Sequence, residues 1–245
     1  MTAFPASIRA VSLDFANTLY PLRSGELEVT IRRLHAFLTQ RLNRDIEYTS
    51  MREVYLDIRQ RQFTENRPTL RENDFTARIA HVVASVTGAD PDPAVVADGE
   101  RAYASGFIDT MIAPPGLAST IAALSKQFDG KVAVCSNFIR AEAIREPLRR
   151  DGITPYLAGV VVSCEVGYVK PHAKVFAEVV KLLGVAPEEI VHVGDDWDAD
   201  IIGATRAGLN AIYTHQWRDE ADPAYGVGAT ALAEIDSLDQ LLTLR

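Results

Sequence analysis

At 245 residues, with 47% hydrophobic side chains and a mean hydropathy of zero, the chain can bury a substantial core and a second, smaller domain. A formal charge of −8 argues against a nucleic-acid footprint, because no Lys/Arg stripe outweighs the carboxylates, although a local site can still take a phosphate-bearing small molecule. No stretch approaches the roughly 20 apolar residues of a membrane span, the N-terminus lacks a charged lead before a long apolar segment, and Cys135 and Cys164 read as buried thiols of a reducing compartment, so the expected location is cytoplasmic.

In chain order, the first element is the apolar run Val11 to Phe15, which carries Asp14 near its end. Residues 21 to 113 then read as helices, among them Leu27 to Leu42, Ser50 to Phe63 and Asn73 to Ser85, with no convincing buried strand. This stretch holds many arginines and no lysine. Pro21 opens it and Pro114-Pro115-Gly116 closes it, and stiff Pro with permissive Gly suits a junction. The remainder alternates helix candidates (Leu117 to Phe128, Ala141 to Arg150, Lys174 to Leu183, Asp200 to Ala207) with short runs at Val132 to Cys135, Gly159 to Val162, Ile190 to Val193 and Ala211 to Tyr213. Runs of that length, rich in Val and Ile, are strands buried on both faces of a parallel sheet. The expectation is therefore an α/β protein with a doubly wound parallel sheet built from 1–20 and 114–245, and an inserted helical domain over 21–113.

In such sheets the ligand site lies beyond the carboxyl ends of the strands. Four groups stand at those ends: Asp14, Ser136-Asn137, Lys170-Pro171, and the cluster Asp195-Asp196-Trp197-Asp198-Ala199-Asp200. A carboxylate, a hydroxyl with an amide, an ammonium and an acidic cluster converging on one crevice suit phosphoryl chemistry. Asp14 is a candidate covalent nucleophile. Asp14 with Asp195 offers hard oxygens for Mg²⁺. Ser136 and the region of Asn137 can bind a phosphoryl oxygen, and Lys170 can balance the charge of Asp14 and of the phosphate. Asp200, near the start of a helix, can orient Lys170 or a metal-bound water. Asp196 and Asp198 fit surface or capping roles better than ligation, Trp197 fits packing, and His172 fits a helix start.

These four motifs in this order (Leu-Asp-Phe-Ala-Asn-Thr-Leu, Cys-Ser-Asn, Val-Lys-Pro and Val-Gly-Asp-Asp-Trp-Asp-Ala-Asp) resemble the haloacid dehalogenase superfamily, in the branch with a helical cap inserted after the first strand. The resemblance implies a Rossmann-like catalytic core and a Mg²⁺-dependent phosphatase type of hydrolase acting on a small phosphorylated metabolite. It further implies Asp14 as nucleophile and metal ligand, the carbonyl of Ala16 and the carboxylate of Asp195 as further ligands, Ser136 as phosphate binder and Lys170 as charge balancer, with Thr18 and Asp200 in support.

One position departs from that pattern. Phosphatases of the superfamily usually carry a second Asp two residues after the nucleophile, as the general acid and base, and here Ala16 stands in its place. A methyl group transfers no proton, and losing such a group costs about 10²- to 10⁴-fold in rate. Four readings of Ala16 stay open: a replaced Asp, a natural enzyme whose leaving group needs no proton or takes one from the cap, a phosphometabolite-binding protein without turnover, and a dehalogenase-like enzyme cleaving carbon–phosphorus or carbon–halogen bonds. The last is disfavoured, because relatives with Ala there use a cap lysine and no lysine precedes Lys126, while dehalogenases need no metal and carry Tyr at that position. Among Arg23, Arg52, Arg59, Arg61, Arg67, Arg71 and Arg78, one or two can clamp a substrate carboxylate or second phosphate. Arg23, just past the nucleophile loop, is the candidate substrate contact by position.

Overall fold

The computed structural model describes residues 5–218 and 222–243. It divides into two compact units, 1–22 with 112–245, and 23–111. The first boundary falls beyond Pro21, where the Leu22 amide donates to Asn17 Oδ1 at 2.9 Å and ties Leu22 to the loop that follows Asp14.

The elements run β1 (Ala10–Leu13), α1 (Glu26–Leu42), α2 (Tyr48–Asn66), α3 (Phe75–Thr87), α4 (Pro93–Thr110), α5 (Leu117–Gln127), β2 (Val132–Ser136), α6 (Ala141–Arg150), β3 (Gly159–Val162), α7 (Ser163–Val166), α8 (Ala173–Leu183), β4 (Ile190–Gly194), α9 (Gly203–Arg206), β5 (Asn210–Thr214) and β6 (Ala233–Ile235). The six strands form one parallel sheet in the order β3-β2-β1-β4-β5-β6. Every residue of β1, β2 and β4 is buried, as continuous apolar runs covered on both faces require. Because β1 lies between β2 and β4, three consecutive strand exits carry Asp14, Ser136 and Asp195. β6 has three residues, one of them exposed. It has no buried apolar run, so periodicity gives no sign of it.

The unit 23–111 is helical. In α1 the buried residues Ile31, Leu34 and Leu38 recur at helical spacing, and α1 packs chiefly on α4. Glu47, Asp74 and Asp92 cap α2, α3 and α4 by accepting backbone amides. Pro93 starts α4 where its missing N–H costs nothing. No helix of the described residues is long and apolar enough to cross a membrane.

Two differences from the sequence reading concern the core. The segment expected as a helix over Asp200 to Ala207 is a wide π-type turn, Trp197–Ile202, followed by the short α9. Its start is set by Asp196, whose carboxylate accepts the Ala199 amide at 2.8 Å. Cys135 is buried, whereas Cys164 is only partly so, because it lies on α7 rather than in a strand; the two form no disulfide.

Two glycines let the loops converge. A Cβ at Gly194 would lie 2.2 Å from Asp200 Cγ, and one at Gly203 would lie 2.9 Å from Pro171 Cα. Any side chain at either position would force the acidic turn away from β4 or from the Lys170-Pro171 loop.

Candidate active site

Lys170 is the hub. Its ammonium is buried and donates to Asp14 Oδ1 at 2.6 Å, to Asp200 Oδ1 at 2.6 Å and to the Cys135 carbonyl at 2.8 Å. All three ammonium protons are thereby used. The Asn137 side chain fixes the backbone at this point: Nδ2 donates to the Lys170 carbonyl at 3.0 Å, and Oδ1 accepts the Lys170 amide at 2.7 Å. Its amide group is thus committed to holding the Lys170 loop, and only its backbone stays available to a ligand. Ser136, at the end of β2, is buried beside this arrangement in sequence.

Asp14, Asp195 and Asp200 are all buried and each offers a carboxylate oxygen within 4.8 Å of the others. Asp200 has both oxygens engaged: Oδ1 by Lys170 and by His192 Nε2 at 3.1 Å, Oδ2 by the Asp196 amide at 3.1 Å. Against burial, which pushes its carboxyl up, Lys170 and the His192 donor hold Asp200 below the usual carboxylate range. Asp14 Oδ2 and Asp195 Oδ1, by contrast, take no hydrogen bond among the described residues. Asp195 Oδ2 accepts from Arg218 Nε at 2.8 Å. Burial pushes the Asp14 carboxyl up to about 8, with Asp200 and Asp195 adding to the effect and Lys170 opposing it. Burial and then Asp200 push Asp195 up to about 6, against Arg218. Burial opposes the charge of Lys170, but Asp14 and Asp200 hold it above the ordinary lysine value. Three carboxylates thus face two cations, and the two oxygens left open belong to the strand-end residues of β1 and β4. That donor set fits a hard divalent cation.

The loop that follows Asp14 is tightly wound. The Phe15 carbonyl accepts from the amides of Leu19 and Tyr20, and Asn17 takes a left-handed φ of 54°. Ala16 is partly exposed in this loop. Thr18 Oγ1 is buried with no hydrogen-bond partner. Arg23, the first residue of the helical unit, is exposed and carries no ion pair among the described residues.

Four polar residues at the site, Ser12, His192, Arg218 and Asp222, went unread in the sequence. His192 pairs with Ser12 across β1 and β4, its Nδ1 3.0 Å from Ser12 Oγ. Burial pulls the imidazole below its ordinary value. The neutral ring therefore donates from Nε2 to the Asp200 carboxylate and accepts the Ser12 hydroxyl at Nδ1. A signal existed, since Ser12 and His192 are the polar residues of otherwise apolar strands. Arg218, and Asp222 which lies 3.3 Å from its Nη2, gave no such signal because they sit in a loop. Asp196, Trp197 and His172 take the roles read from sequence: Asp196 caps the π-type turn, Trp197 packs edge-on against Tyr213, and His172 Nδ1 accepts the Lys174 amide at 3.1 Å to start α8.

A family model described as haloacid dehalogenase-like hydrolase matches residues 8–208. A glyceraldehyde 3-phosphate phosphatase of Methanopyrus kandleri is 34% identical over 207 residues, covering 84% of this chain and 83% of its own length. A ribulose-1,5-bisphosphate 5-phosphatase of Halopiger xanaduensis is 28% identical, with 83% of each chain covered. The solved structure of a 2-haloacid dehalogenase from Pseudomonas syringae pv. Tomato shares the fold with a TM-score of 0.75 over 97% of each chain, at 22% identity. With β1 and Asp14, the buried Lys170 and the acidic turn all inside the matched span, the chain belongs to the haloacid dehalogenase-like hydrolases.

Proposed function

We propose that this chain is a phosphatase-type hydrolase of a small phosphorylated metabolite, acting in the cytoplasm through Asp14, with turnover limited by Ala16. One observation carries the reading: buried Lys170 bridges Asp14 and Asp200 while Asp14 and Asp195 each keep one oxygen open. The two relatives named above, both called phosphatases of small phosphorylated compounds, support the substrate class.

The residues fit Mg²⁺: Asp14, Asp195 and the carbonyl of Ala16 would hold it, and when bound it would offset negative charge on the phosphoryl oxygens. Asp14 attacks phosphorus, so that its oxygen–phosphorus bond forms as the ester oxygen–phosphorus bond breaks. Lys170 keeps Asp14 oriented and balances part of its charge. Ser136 and the backbone near Asn137 bind a phosphoryl oxygen, Thr18 supports the loop, and Asp200, held by His192, fixes Lys170. Arg23 is the proposed cap contact to substrate. The leaving oxygen departs as an alkoxide, because the methyl of Ala16 has no proton to give. Water that later attacks the aspartyl phosphate likewise finds no base at this position.

The test is Ala16→Asp, assayed with Mg²⁺ on a panel of phosphate esters. The expected result is a gain in kcat of about 10²- to 10⁴-fold on at least one ester; no gain on any of them overturns the reading. Ala16 itself favours a second reading, a phosphometabolite-binding protein without turnover. In that case Mg²⁺ with vanadate or tetrafluoroaluminate binds, measured by calorimetry, and the Ala16→Asp protein stays inactive.

A further inference from the structure

The helical unit contains a buried cation that makes no ion pair among the described residues. Of the seven arginines singled out between 23 and 78, six are exposed or partly exposed; Arg52 and Arg61 pair with Glu28 and Asp57, and Arg59 lies over the Phe63 ring. Arg78, on α3, is 2% exposed. Its Nε donates to Gln62 Oε1 at 2.8 Å and its Nη1 to the Tyr55 hydroxyl at 3.2 Å. Both acceptors are neutral, and no carboxylate among the described residues pairs with it. Nη2 is buried and has no hydrogen-bond partner among the described residues.

The surroundings hold this guanidinium in one pose. Gln62 is fixed at its other end, where Nε2 donates to the Asp74 carbonyl at 2.6 Å, so its oxygen faces Arg78. The guanidinium carbon lies 5.6 Å from the Tyr55 ring centre and 5.7 Å from that of Phe75, and Tyr103 packs on both rings. The buried Glu100 of α4 accepts from Thr76 instead. Arginine is a permanent cation, and a buried charge is stable only when an opposite charge or a full set of hydrogen bonds compensates it. Aromatic faces and two neutral acceptors leave one edge of the fork uncompensated. That edge, with a donor already aimed and held, is the geometry that takes an oxyanion.

We propose that Arg78 anchors an anion-binding subsite within the helical unit, in which Nη2 takes an oxygen of a carboxylate or phosphate group. Nη2 is enclosed in this conformation, so the anion enters through local opening of the unit. The group belongs to a free anion, such as inorganic phosphate or a dicarboxylate.

The test uses the full chain with a chelator present, so that metal-assisted phosphate binding at Asp14 and Asp195 is removed. Inorganic phosphate and malonate are titrated at constant ionic strength against wild type, Arg78→Met and Arg78→Lys, reading Tm and the Arg78 side-chain N–H resonances. Wild type should gain Tm with anion and shift those resonances. Arg78→Met should bind about tenfold to a hundredfold more weakly, and Arg78→Lys, which keeps the charge without the fork, should fall between. Should Arg78→Met fail to fold, wild type against Arg78→Lys decides. Equal responses in wild type and variants, or none in wild type, overturn the subsite and leave Arg78 as a packing residue. The titration needs no turnover, so its outcome is independent of the phosphatase reading.

Discussion

At the scale of single residues, the site is a problem in charge placement. Asp14 and Asp195 lie where burial and each other's neighbours favour the proton, at about 8 and about 6. A cation that takes their open oxygens must displace that proton. Mg²⁺ binding is therefore expected to release protons near neutral pH and far fewer at alkaline pH, where Asp14 is already ionised. Calorimetry in buffers of different ionisation heat measures this directly, and equal release at both pH values would contradict it. Lys170 does not compete in this exchange, since its three protons are spent on Asp14, Asp200 and the Cys135 carbonyl. Asp200 has both oxygens engaged, by Lys170, His192 and the Asp196 amide, so on the proposed reading it positions the lysine.

At the scale of elements, caps and close approaches decide where loops end up. Glu47 caps α2 by accepting the amides of Thr49 and Ser50, and its hydrogen bonds to Ser50 hold its carboxyl down to about 2. A depressed carboxyl contributes stability above its unfolded value, here 4.5, and loses that contribution as pH falls through the folded value. The helical unit should therefore weaken between pH 4.5 and 2. Glu47→Gln should lower Tm at pH 7 and have little effect at pH 2, as followed by circular dichroism; an equal loss at both pH values would assign Glu47 no titrating role. In the core, the π-type turn replaces the regular helix expected after Asp200 because that carboxylate is folded back onto Gly194. Helical spacing could not report this, since it arises from contact between two loops.

At the scale of the molecule, the proposed function requires a chain of charge −8 to admit an anionic substrate. Like charge slows the encounter, and salt shortens its reach to about 10 Å at 0.1 M. For the Ala16→Asp protein, kcat/KM on a phosphate ester should rise a few-fold from low to physiological salt, as read from initial rates. A fall would mean that local cations, rather than the overall charge, govern the approach.

Much of this protein was legible as text. Apolar runs of three to five residues marked every strand but β6, their order gave a parallel α/β sheet, and the chemistry-bearing residues stood at strand exits, where that topology places ligands. Asp14, Lys170 and Asp195 stood out by position and residue type, whereas Ala16 stood out only against the pattern of the superfamily that the motifs resemble. The rest depended on distance between segments far apart in the chain. Asn137 turned out to grip the Lys170 loop, His192 to reach Asp200 from a neighbouring strand, Arg218 to hold Asp195, and Arg78 alone among its fellow arginines to lie buried without an anion. Sequence records which groups a chain owns and their local periodicity; burial and pairing are sums over neighbours that only the folded chain brings together.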